Sequence, residues 1–248
     1  KKAKIITSIS MFYDLPEPLD FVNQVKDTLA DDGIWILEQS YMPTMVDMVS
    51  YDTVCHEHLE YYGLKQIKWL VDAAGMKIVD VALNDVNGGS FQVVVSKDIN
   101  AAANDAEIER LLRHEEEGGY SSGSVFAKFR EEIETHKKQV LDFFKKASEE
   151  GKTVYGYGSS TKGNVTLQYC GITNEMLPRI AEVNEYKFGR TSPGTKIPII
   201  SETEAHAAKP DYYFVLPWHF RKGIIERESA YLASGGHLVF PLPQVEIV

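Results

Sequence analysis

The stretch TVYGYGSSTKGN, residues 153–164, decides the fold of the C-terminal part of the chain. Residues 153–157 are predicted to form a strand, the glycines after them a turn, and residues 162–169 a helix. A strand, a Gly-rich turn and a helix in this order are typical of the first unit of a doubly wound α/β domain. Backbone amides in such a turn can approach phosphate oxygens at the helix N-terminus, because glycine has no Cβ atom.

Further elements around this stretch complete a small doubly wound domain. Strands are predicted at residues 179–183, 211–216 and 237–241, and helices at residues 201–208 and 221–234. Ser201 is the predicted N-cap of its helix, with Glu204 placed as in a capping box. Before the Gly-rich stretch, apolar residues between 125 and 144 recur at helical spacing and predict one long amphipathic helix. The charge run 131–138 is interpreted as the solvated face of that helix.

The N-terminal part of the chain has a different order of elements. Strands are predicted at residues 5–10, 33–39, 76–83 and 90–96, with helices starting at Leu19 and Leu64, and Asp32-Gly33 is predicted to end the first helix. This order predicts half of an α/β sheet that ends in an antiparallel pair. Exposed parallel strands make a half sheet a poor independent unit, so we expect upstream sequence to be missing. Residues 98–123 are predicted to form a helix and a linker, with an acidic group at 115–117.

Composition and charge exclude several classes of protein. The formal net charge of −10 leaves no basic stripe for nucleic acid, and no apolar run is long enough to cross a membrane. The 2 cysteines, Cys55 and Cys170, form neither a disulfide framework nor a zinc quartet. We therefore expect a cytoplasmic α/β protein without nucleic-acid or membrane partners. A homodimer is compatible with the sequence, which does not decide the oligomeric state.

The Gly-rich turn is either a tight connection without a ligand or a nucleotide-binding turn. Nucleotide binding is favoured, because Glu182 ends the next strand where a ribose-binding acid lies in dinucleotide sites. The third glycine, Gly163, is displaced from the dinucleotide fingerprint. This displacement weakens the hypothesis of an NAD-dependent dehydrogenase.

Two more loops, residues 184–195 and 217–221, follow strands at the same sheet edge. Ligands of open α/β sheets bind at this edge. In the second loop, His219 and Arg221 are candidates for phosphate or sugar contacts, whereas Trp218 is equally compatible with the core.

The stretch YDTVCHEHLEYYG, residues 51–63, holds many groups that can transfer protons. It follows the strand at 33–39 and therefore lies near the carboxyl edge of the first sheet. Cys55-His56-Glu57-His58 has three interpretations: a metal cluster, histidines satisfied in a polar core, and proton transfer. Proton transfer is favoured, since histidine titrates near neutrality and an adjacent carboxylate can hold it in position.

With these pieces placed, the chain resembles the S-adenosylmethionine-dependent C-methyltransferases of nucleotide-linked 4-keto-deoxysugars, of the tetronitrose-pathway type. The resemblance rests on the motifs YDTVCHEHLEYYG, NGGSFQVVVSK, VYGYGSSTKGN, IAEVNEYKFGRTSPGTKIPI, KPDYYFVLPWHF and GGHLVFPLP. It implies that residues 1–97 are the second half of a class I (Rossmann-like) methyl-donor domain. It also implies that residues 124–248 are a complete Rossmann-like domain for the nucleotide sugar. The zinc-binding N-terminal module of such proteins is not expected in this chain, nor is any other metal site.

The resemblance also implies roles for individual residues. His58 would be the base that removes the C3 proton beside the C4 ketone, and Glu57 next to it would orient the site or the sugar. His56 completes the predicted catalytic set. The methyl-donor pocket would be lined by the segment after the first strand: Ser10, Met11, Phe12 and Tyr13. The nucleotide sugar would be held by the Gly-rich turn and the loops after it: Gly156, Gly158, Ser159, Ser160, Thr161, Lys162, Asn164, Glu182, Asn184, Lys187, Arg190 and His219.

One position departs from the family pattern. Where the family has Tyr-His-Glu-His, this chain has Cys55 in place of the tyrosine. If that phenol stabilises the enolate, a different substrate or a lower activity is expected, unless Tyr51, Tyr61 or Tyr62 replaces it. Two rival hypotheses therefore accompany the sugar C-methyltransferase. They are methylation of another small or nucleotide-linked substrate, and a nucleotide-sugar-binding module without catalysis.

Overall fold

The computed structural model describes residues 1–248 and divides the chain into two compact units. Unit 1 comprises Lys1–Met48 and His56–Phe129, and unit 2 comprises Val49–Cys55 and Arg130–Val248. Each unit has its own sheet and its own hydrophobic core. Residues 49–55 therefore belong to unit 2, although the segments directly before and after them belong to unit 1.

Unit 1 contains a four-stranded sheet in the order β1-β2-β4-β3. Its elements are β1 (Ala3–Ile9), α1 (Pro18–Thr28), β2 (Leu29–Ser40), α2 (Met42–Asp47), α3 (Leu64–Ala73), β3 (Lys77–Asn84), β4 (Ser90–Ser96) and α4 (Asp105–Glu117). β1 and β2 are parallel, whereas β4 is antiparallel to both β2 and β3. The predicted α/β half sheet with an antiparallel pair is thereby confirmed.

The core of unit 1 is built around aromatic side chains on β2 and on the segment after β1. Phe12 and Trp35 are fully buried with ring centroids 5.7 Å apart, and Tyr62 lies 5.4 Å from Phe12. α3 adds Ile67 and Val71 to the same cluster, as their i, i+4 spacing predicts. Burial of these large side chains supplies the main driving force for folding.

The end of the first helix differs from the sequence prediction. Asp32-Gly33 lies inside β2 and does not end α1. Leu29 is fully buried and pairs with Ala3, and the register of the ladder shifts directly after this pair. A Cβ on Gly33 would lie 2.9 Å from the Ala3 carbonyl oxygen. The glycine therefore permits a close backbone approach at a bulge, which resembles a helix stop in the sequence.

The acidic group at the end of α4 is only partly solvated. Glu115 is buried, and its carboxylate accepts hydrogen bonds from the amides of Leu64 and Lys65 and from the hydroxyl of Tyr41. Those amides are the unpaired N–H groups at the start of α3, where a negative charge also interacts favourably with the helix dipole. Glu115 thus ties α4 to α3.

Unit 2 contains a six-stranded sheet in the order β10-β9-β8-β5-β6-β7. Its elements are α5 (Val125–Glu149), most of which belongs to this unit, β5 (Val154–Tyr157), α6 (Thr161–Cys170), β6 (Ile180–Glu182), β7 (Ile199–Ser201), α7 (Glu202–Ala208), β8 (Tyr212–Val215), α8 (Arg221–Arg227), α9 (Ser229–Ala233), β9 (His237–Phe240) and β10 (Glu246–Ile247). All neighbouring strands are parallel except β9 and β10. The predicted doubly wound, Rossmann-like domain is confirmed.

Three details of unit 2 differ from the sequence prediction. β7 is an additional strand. The helix predicted at residues 221–234 is divided into α8 and α9 by Glu228, which is buried and accepts a hydrogen bond from the Tyr157 hydroxyl. The charge run 131–138 is not solvated throughout, because His136 within it is buried.

The long helix α5 is amphipathic, as its sequence predicts. Val140 and Phe144 are buried, and the ring of Phe144 lies 5.1 Å from that of Phe214 in β8. The opposite face carries exposed ion pairs such as Lys138 with Asp142. Neither α5 nor any other helix combines the length and the apolar character that a membrane crossing requires.

Candidate functional site

The stretch 51–63 belongs to two different units. Val49–Cys55 is part of unit 2, and the chain from His56 to Phe129 is part of unit 1. This boundary divides the reactive stretch into a front half, residues 51–55, and a back half, residues 56–60, and residues 61–63 then lead into α3. Groups that are neighbours in the sequence therefore have different surroundings.

The back half lies at the surface of unit 1. His56 has 89% of its side chain exposed, and its Nδ1 lies 3.1 Å from Oε2 of Glu57. His58 is half-buried, and its ring packs against that of Tyr13 with centroids 4.3 Å apart. A half-buried imidazole packed in this way can exchange protons while its orientation is restrained. No group of three or more His, Cys, Asp or Glu side chains in the chain is arranged to hold a metal ion.

Tyr13 holds the back half through its backbone as well as its ring. Its carbonyl oxygen accepts hydrogen bonds from the amides of Leu59 and Glu60, at 2.9 and 3.1 Å. Tyr13 itself is buried in a short 3₁₀ turn after β1. His58 is thereby fixed beside the segment that follows β1.

The predicted methyl-donor segment lies at the carboxyl end of β1. The Ser10 amide donates to the Glu38 carbonyl at 2.8 Å, and Ser10 has a φ of 51°, which is uncommon for a residue other than glycine. The side chain of Phe12 is enclosed by the aromatic core, while Met11 is half-buried. Oδ1 of Asp14 is buried without a hydrogen-bond partner. A buried oxygen of this kind needs a donor, which a ligand can supply.

The Gly-rich turn of unit 2 lies where the strand order reverses. It follows the carboxyl end of β5, which has β6 on one side and β8 on the other. Gly158 has a φ of 76°, and a Cβ there would lie 2.7 Å from Pro217. A Cβ on Gly163 would lie 2.5 Å from Leu216. Ser160 caps α6 by accepting a hydrogen bond from the Gly163 amide. Packing against Pro217 and Leu216 therefore requires both glycines, whether or not a ligand binds at the turn.

Glu182 ends β6 beside the turn and braces it. Its carboxylate accepts hydrogen bonds from the amides of Ser159, Val183 and Asn184 and from the Lys187 ammonium group. Burial opposes its charge, but these hydrogen bonds outweigh burial and lower the pKa of Glu182. Lys187 also donates to the Ser159 carbonyl at 2.6 Å. Any ligand contact of Glu182 is additional to these bonds.

A cavity of about 410 Å³ adjoins the turn. Its lining includes Gly158, Ser159, Glu182, Phe220 and Arg227. The volume is in the range of small-molecule sites. The cavity also lies at the carboxyl edge of the sheet, where open α/β domains bind ligands.

Two predicted ligand-binding side chains of unit 2 have unusual electrostatics. Burial lowers the pKa of Lys162, whereas Asp52 and Cys55 raise it. Burial, followed by the charge of Lys162, lowers the pKa of His219 to about 4, so this imidazole is neutral at pH 7. Nδ1 of His219 and Oδ1 of Asn164 are buried without hydrogen-bond partners. Perturbed and unsatisfied groups of this kind concentrate at functional sites.

Seven of the residues predicted to hold the nucleotide sugar do not line this cavity: Gly156, Thr161, Lys162, Asn164, Asn184, Arg190 and His219. Gly156 lies within β5, where a Cβ would crowd the neighbouring strand β6. Asn184 accepts a hydrogen bond from the Tyr186 amide. Thr161 begins α6, and Arg190 is exposed in the loop after β6.

The front half of the stretch is packed into unit 2. Tyr51 and Asp52 are 4% and 0% exposed. The Tyr51 hydroxyl lies 3.2 Å from Nδ1 of His136 and 3.4 Å from Sγ of Cys170. The Asp52 carboxylate accepts a hydrogen bond from the indole N–H of Trp218 at 2.7 Å. The front half is therefore an anchored segment of unit 2.

Sequence reasoning misses Asp52 and His136 and gives Trp218 no polar role. The signal for His136 is present, because it falls between Ile133 and Val140 at the spacing of the apolar face of α5. Burial lowers the pKa of His136, although its hydrogen bond to the Pro241 carbonyl opposes this. The pair of Asp52 and Trp218 joins residues 166 positions apart, and no local pattern reports it.

The fold, an α/β sheet followed by a Rossmann-like domain, is of the type that methyltransferases have. Residues 1–81 match a methyltransferase domain, and residues 85–243 match the C-methyltransferase C-terminal domain. The chain belongs to the C-methyltransferase family.

A relative from Streptomyces niveus agrees with this family. The chain is 30% identical over 250 residues to the C-methyltransferase NovU of Streptomyces niveus. The alignment covers 99% of this chain and 59% of NovU, so the chain spans about three fifths of that relative. Similar solved structures include LepI in complex with SAM (14% identity, TM-score 0.34, covering 39% of this chain and 26% of that one). They also include TnmH (18% identity, TM-score 0.32, covering 40% and 31%).

Proposed function

We propose that the protein transfers a methyl group from S-adenosylmethionine to C3 of a nucleoside-diphosphate 4-keto-deoxysugar. Membership of the C-methyltransferase family supports methylation at carbon. The observation that carries the chemistry is the position of His58, whose ring packs on Tyr13 beside the predicted donor segment. C-methylation needs a base in this place, because the same carbon loses a proton and gains the methyl group.

His58 acts as the base. One of its imidazole nitrogens takes the C3 proton as the C3–H bond breaks, and the electron pair is delocalised onto the C4 oxygen as an enolate. S-adenosylmethionine, when bound, would supply the electrophilic methyl group: its S–CH3 bond would break as C3 gains the methyl group, with S-adenosylhomocysteine as the leaving group. Glu57 is next to the base in the chain, pairs with His56 through its carboxylate, and is assigned the role of orienting the site.

The residues after β1 fit the methyl donor in part. Ser10, Met11 and the backbone of Phe12 lie at the carboxyl end of β1, where open sheets bind ligands. The unpartnered Oδ1 of Asp14 can accept a hydrogen bond from an ammonium or hydroxyl group of the donor. The side chain of Phe12 is buried in the core, so it is not assigned a contact with the methyl donor.

A phenol that replaces the tyrosine missing at Cys55 is available in unit 1. Tyr62 is buried in the aromatic core, and its hydroxyl has no hydrogen-bond partner. The hydroxyl of Tyr61 donates a long hydrogen bond, 3.3 Å, to the backbone carbonyl oxygen of His58. We assign enolate stabilisation to Tyr61, which would exchange this hydrogen bond for one to the enolate oxygen.

The nucleotide part of the substrate is assigned to the Gly-rich turn of unit 2. Amides at the N-terminus of α6, together with Lys162, suit diphosphate oxygens. The unsatisfied atoms of His219 and Asn164 can pair with hydroxyl groups of the ligand. The cavity of about 410 Å³ beside the turn is large enough for a nucleoside.

Hydrogen exchange tests the base without the methyl donor. The protein is incubated in D₂O with thymidine-diphosphate and uridine-diphosphate 4-keto-6-deoxysugars, and uptake of deuterium at C3 is followed by mass spectrometry. We expect exchange with the unmodified protein and none above background with His58→Asn. Equal exchange by both proteins would show that another group is the base.

Product analysis tests the substrate. The same sugars are incubated with S-adenosylmethionine, beside non-sugar ketones as control acceptors. We expect one additional methyl group on a nucleotide sugar. If only the non-sugar acceptors gain the methyl group, the sugar assignment is wrong, and the departure at Cys55 then marks a different substrate class.

A further inference from the structure

Glu228 is a buried carboxylate at the junction of α8 and α9, and the proposed reaction gives it no part. The residue is 3% exposed. Its Oε1 accepts a hydrogen bond from the Tyr157 hydroxyl at 2.8 Å, and its Oε2 lies 2.9 Å from Nε2 of His206. An ionised carboxylate only accepts hydrogen bonds, so the phenol and the imidazole both donate to it. One side chain thereby joins β5, α7 and the end of α8.

The same three elements line the cavity of about 410 Å³ beside the Gly-rich turn. Tyr157 is the last residue of β5 and lines the cavity directly before Gly158. Glu202 at the start of α7 and Arg227 at the end of α8 line it as well. The Arg227 guanidinium donates a hydrogen bond to the Glu202 carboxylate. Glu228 therefore fastens together three elements that form walls of the cavity.

We propose that Glu228 is a positioning residue that holds α7 and α8 against β5 at the spacing that the nucleoside of the substrate requires. This inference rests on the proposed nucleotide site, in which the cavity takes the nucleoside and the Gly-rich turn takes the diphosphate. It adds to that site the group that sets the shape of the nucleoside part. Glu228 itself does not line this cavity and need not touch the ligand.

The physical argument concerns buried polar groups that lose their partner. Tyr157 is 4% exposed, and without Glu228 its hydroxyl loses the carboxylate to which it donates. A buried donor without a partner is unfavourable, so β5 and α8 would shift until the hydroxyl is paired or solvated. A binding site tolerates displacements of only about 0.5 Å. Such a shift would therefore weaken the contacts of the cavity with a nucleoside.

The Gly-rich turn is held by other hydrogen bonds. Glu182 accepts one from the Ser159 amide, and Ser160 accepts one from the Gly163 amide at the start of α6. Neither bond involves Glu228. Loss of its carboxylate should therefore weaken binding of the nucleoside and spare binding of the diphosphate, whereas a general loss of structure would weaken both.

Calorimetry with the 248-residue protein tests the proposal, with thymidine diphosphate, uridine diphosphate and inorganic pyrophosphate as probes. Glu228→Ala removes the carboxylate, and Glu226→Ala, at an exposed position of α8, is the matched control. Glu228→Gln is the conservative variant, because its amide can accept a hydrogen bond from Tyr157 and donate one to His206. Tyr157→Phe keeps the ring, removes one of the two hydrogen bonds, and decides the matter should Glu228→Ala fail to fold. Circular dichroism checks folding throughout.

We expect the affinity for the nucleoside diphosphate that binds more tightly to fall roughly tenfold in Glu228→Ala and about threefold in Tyr157→Phe, as the loss of a buried hydrogen bond implies. Pyrophosphate should bind all variants about as tightly as it binds the unmodified protein. Glu228→Gln and Glu226→Ala should resemble the unmodified protein with every probe.

The outcomes separate the two proposals. If the unmodified protein binds none of the three probes, the proposed nucleotide site is wrong. If it binds a nucleoside diphosphate, and Glu228→Ala and Tyr157→Phe bind it equally well, the role of Glu228 is overturned while the nucleotide site stands. The same conclusion follows if the affinities for nucleoside diphosphate and pyrophosphate fall by the same factor.

Discussion

Asp52 is completely buried, whereas His56 has 89% of its side chain in solvent, although only three residues separate them. The front half of the stretch anchors to unit 2 through Tyr51 and Asp52. The back half belongs to unit 1, where His58 packs on Tyr13. Two adjacent segments with similar composition therefore have different tasks.

The difference teaches that burial, and not residue type, separates the supporting groups of the front half from the proposed base in the back half. A buried carboxylate with two donors is held in one place. A half-buried imidazole remains accessible to a substrate. Changes in the front half should therefore affect folding, and changes in the back half should affect turnover.

The largest expected effect tests the back half. His58→Asn should lower methyl transfer by roughly 10²–10⁴-fold, the usual contribution of a general base. Donor binding should persist, because His58 is not among the predicted donor contacts. Steady-state methyl transfer and calorimetry with S-adenosylmethionine measure the two quantities. His56→Asn is the matched control, and an equal loss in that variant would remove the distinction between the two histidines.

The next effect tests the anchoring of the front half. Tyr51→Ala should lower the free energy of unfolding of unit 2 by about 3–5 kcal/mol, because it removes a buried aromatic side chain. Tyr51→Phe, which keeps the ring and loses the hydroxyl contacts with His136 and Cys170, should cost about 1 kcal/mol. Urea denaturation measures both changes. Tyr186→Ala, at a residue that is 85% exposed, should be nearly neutral. A neutral Tyr51→Ala would contradict the anchoring role.

A smaller effect concerns the pH dependence of stability and tests His219, which follows Trp218, the partner of Asp52 in the front half. His219 has a pKa of about 4 in the folded protein, below its usual 6.5, so the unfolded chain binds more protons between these values. The contribution of His219 to the free energy of unfolding is fully present above pH 6.5 and is lost as the pH falls through 4. When the pH falls from 7 to 4, the free energy of unfolding should decrease in both proteins. The decrease should be roughly 2–3 kcal/mol smaller in His219→Gln than in the unmodified protein.

Urea denaturation at a series of pH values measures this difference, with His56→Gln as the control at an exposed position. Parallel stability curves for His219→Gln and the unmodified protein would show that His219 does not carry the effect.

The smallest expected effect concerns the exposed pair of His56 and Glu57 in the back half. Glu57→Gln should change the unfolding free energy by less than about 0.5 kcal/mol, since exposed ion pairs contribute little. Thermal unfolding measures it, and methyl transfer by the same variant should fall although the fold does not weaken. A large loss of stability would place Glu57 with the supporting groups of the front half.

Much of the fold follows from local patterns. The long helix α5, the hairpin of β3 and β4 and the unit of β5 and α6 are confirmed close to their predicted positions. The error at Asp32-Gly33 has a specific cause, because an Asp-Gly pair is compatible with a helix end and with a bulge. Only the pairing of Leu29 with Ala3 decides between them.

The candidate site is predictable where a motif is local. Gly158, Ser160 and Glu182 are found together at one sheet edge, as strand order implies. The division of the stretch at Cys55 and His56 is not predictable in this way, because no composition change marks it. No sequence pattern predicts the hydrogen bonds of Asp52 either.

The sequence by itself determines the order of strands and helices, the Gly-rich turn and the presence of a stretch rich in titratable groups, since each depends on residues close together along the chain. Tertiary structure alone decides which of those titratable groups are buried and which partners they meet. Glu115 at the start of α3 and Asp52 beside the Trp218 indole are examples. The physical reason is that desolvation and charge pairing depend on distance in space, and the chain sets that distance only when it folds.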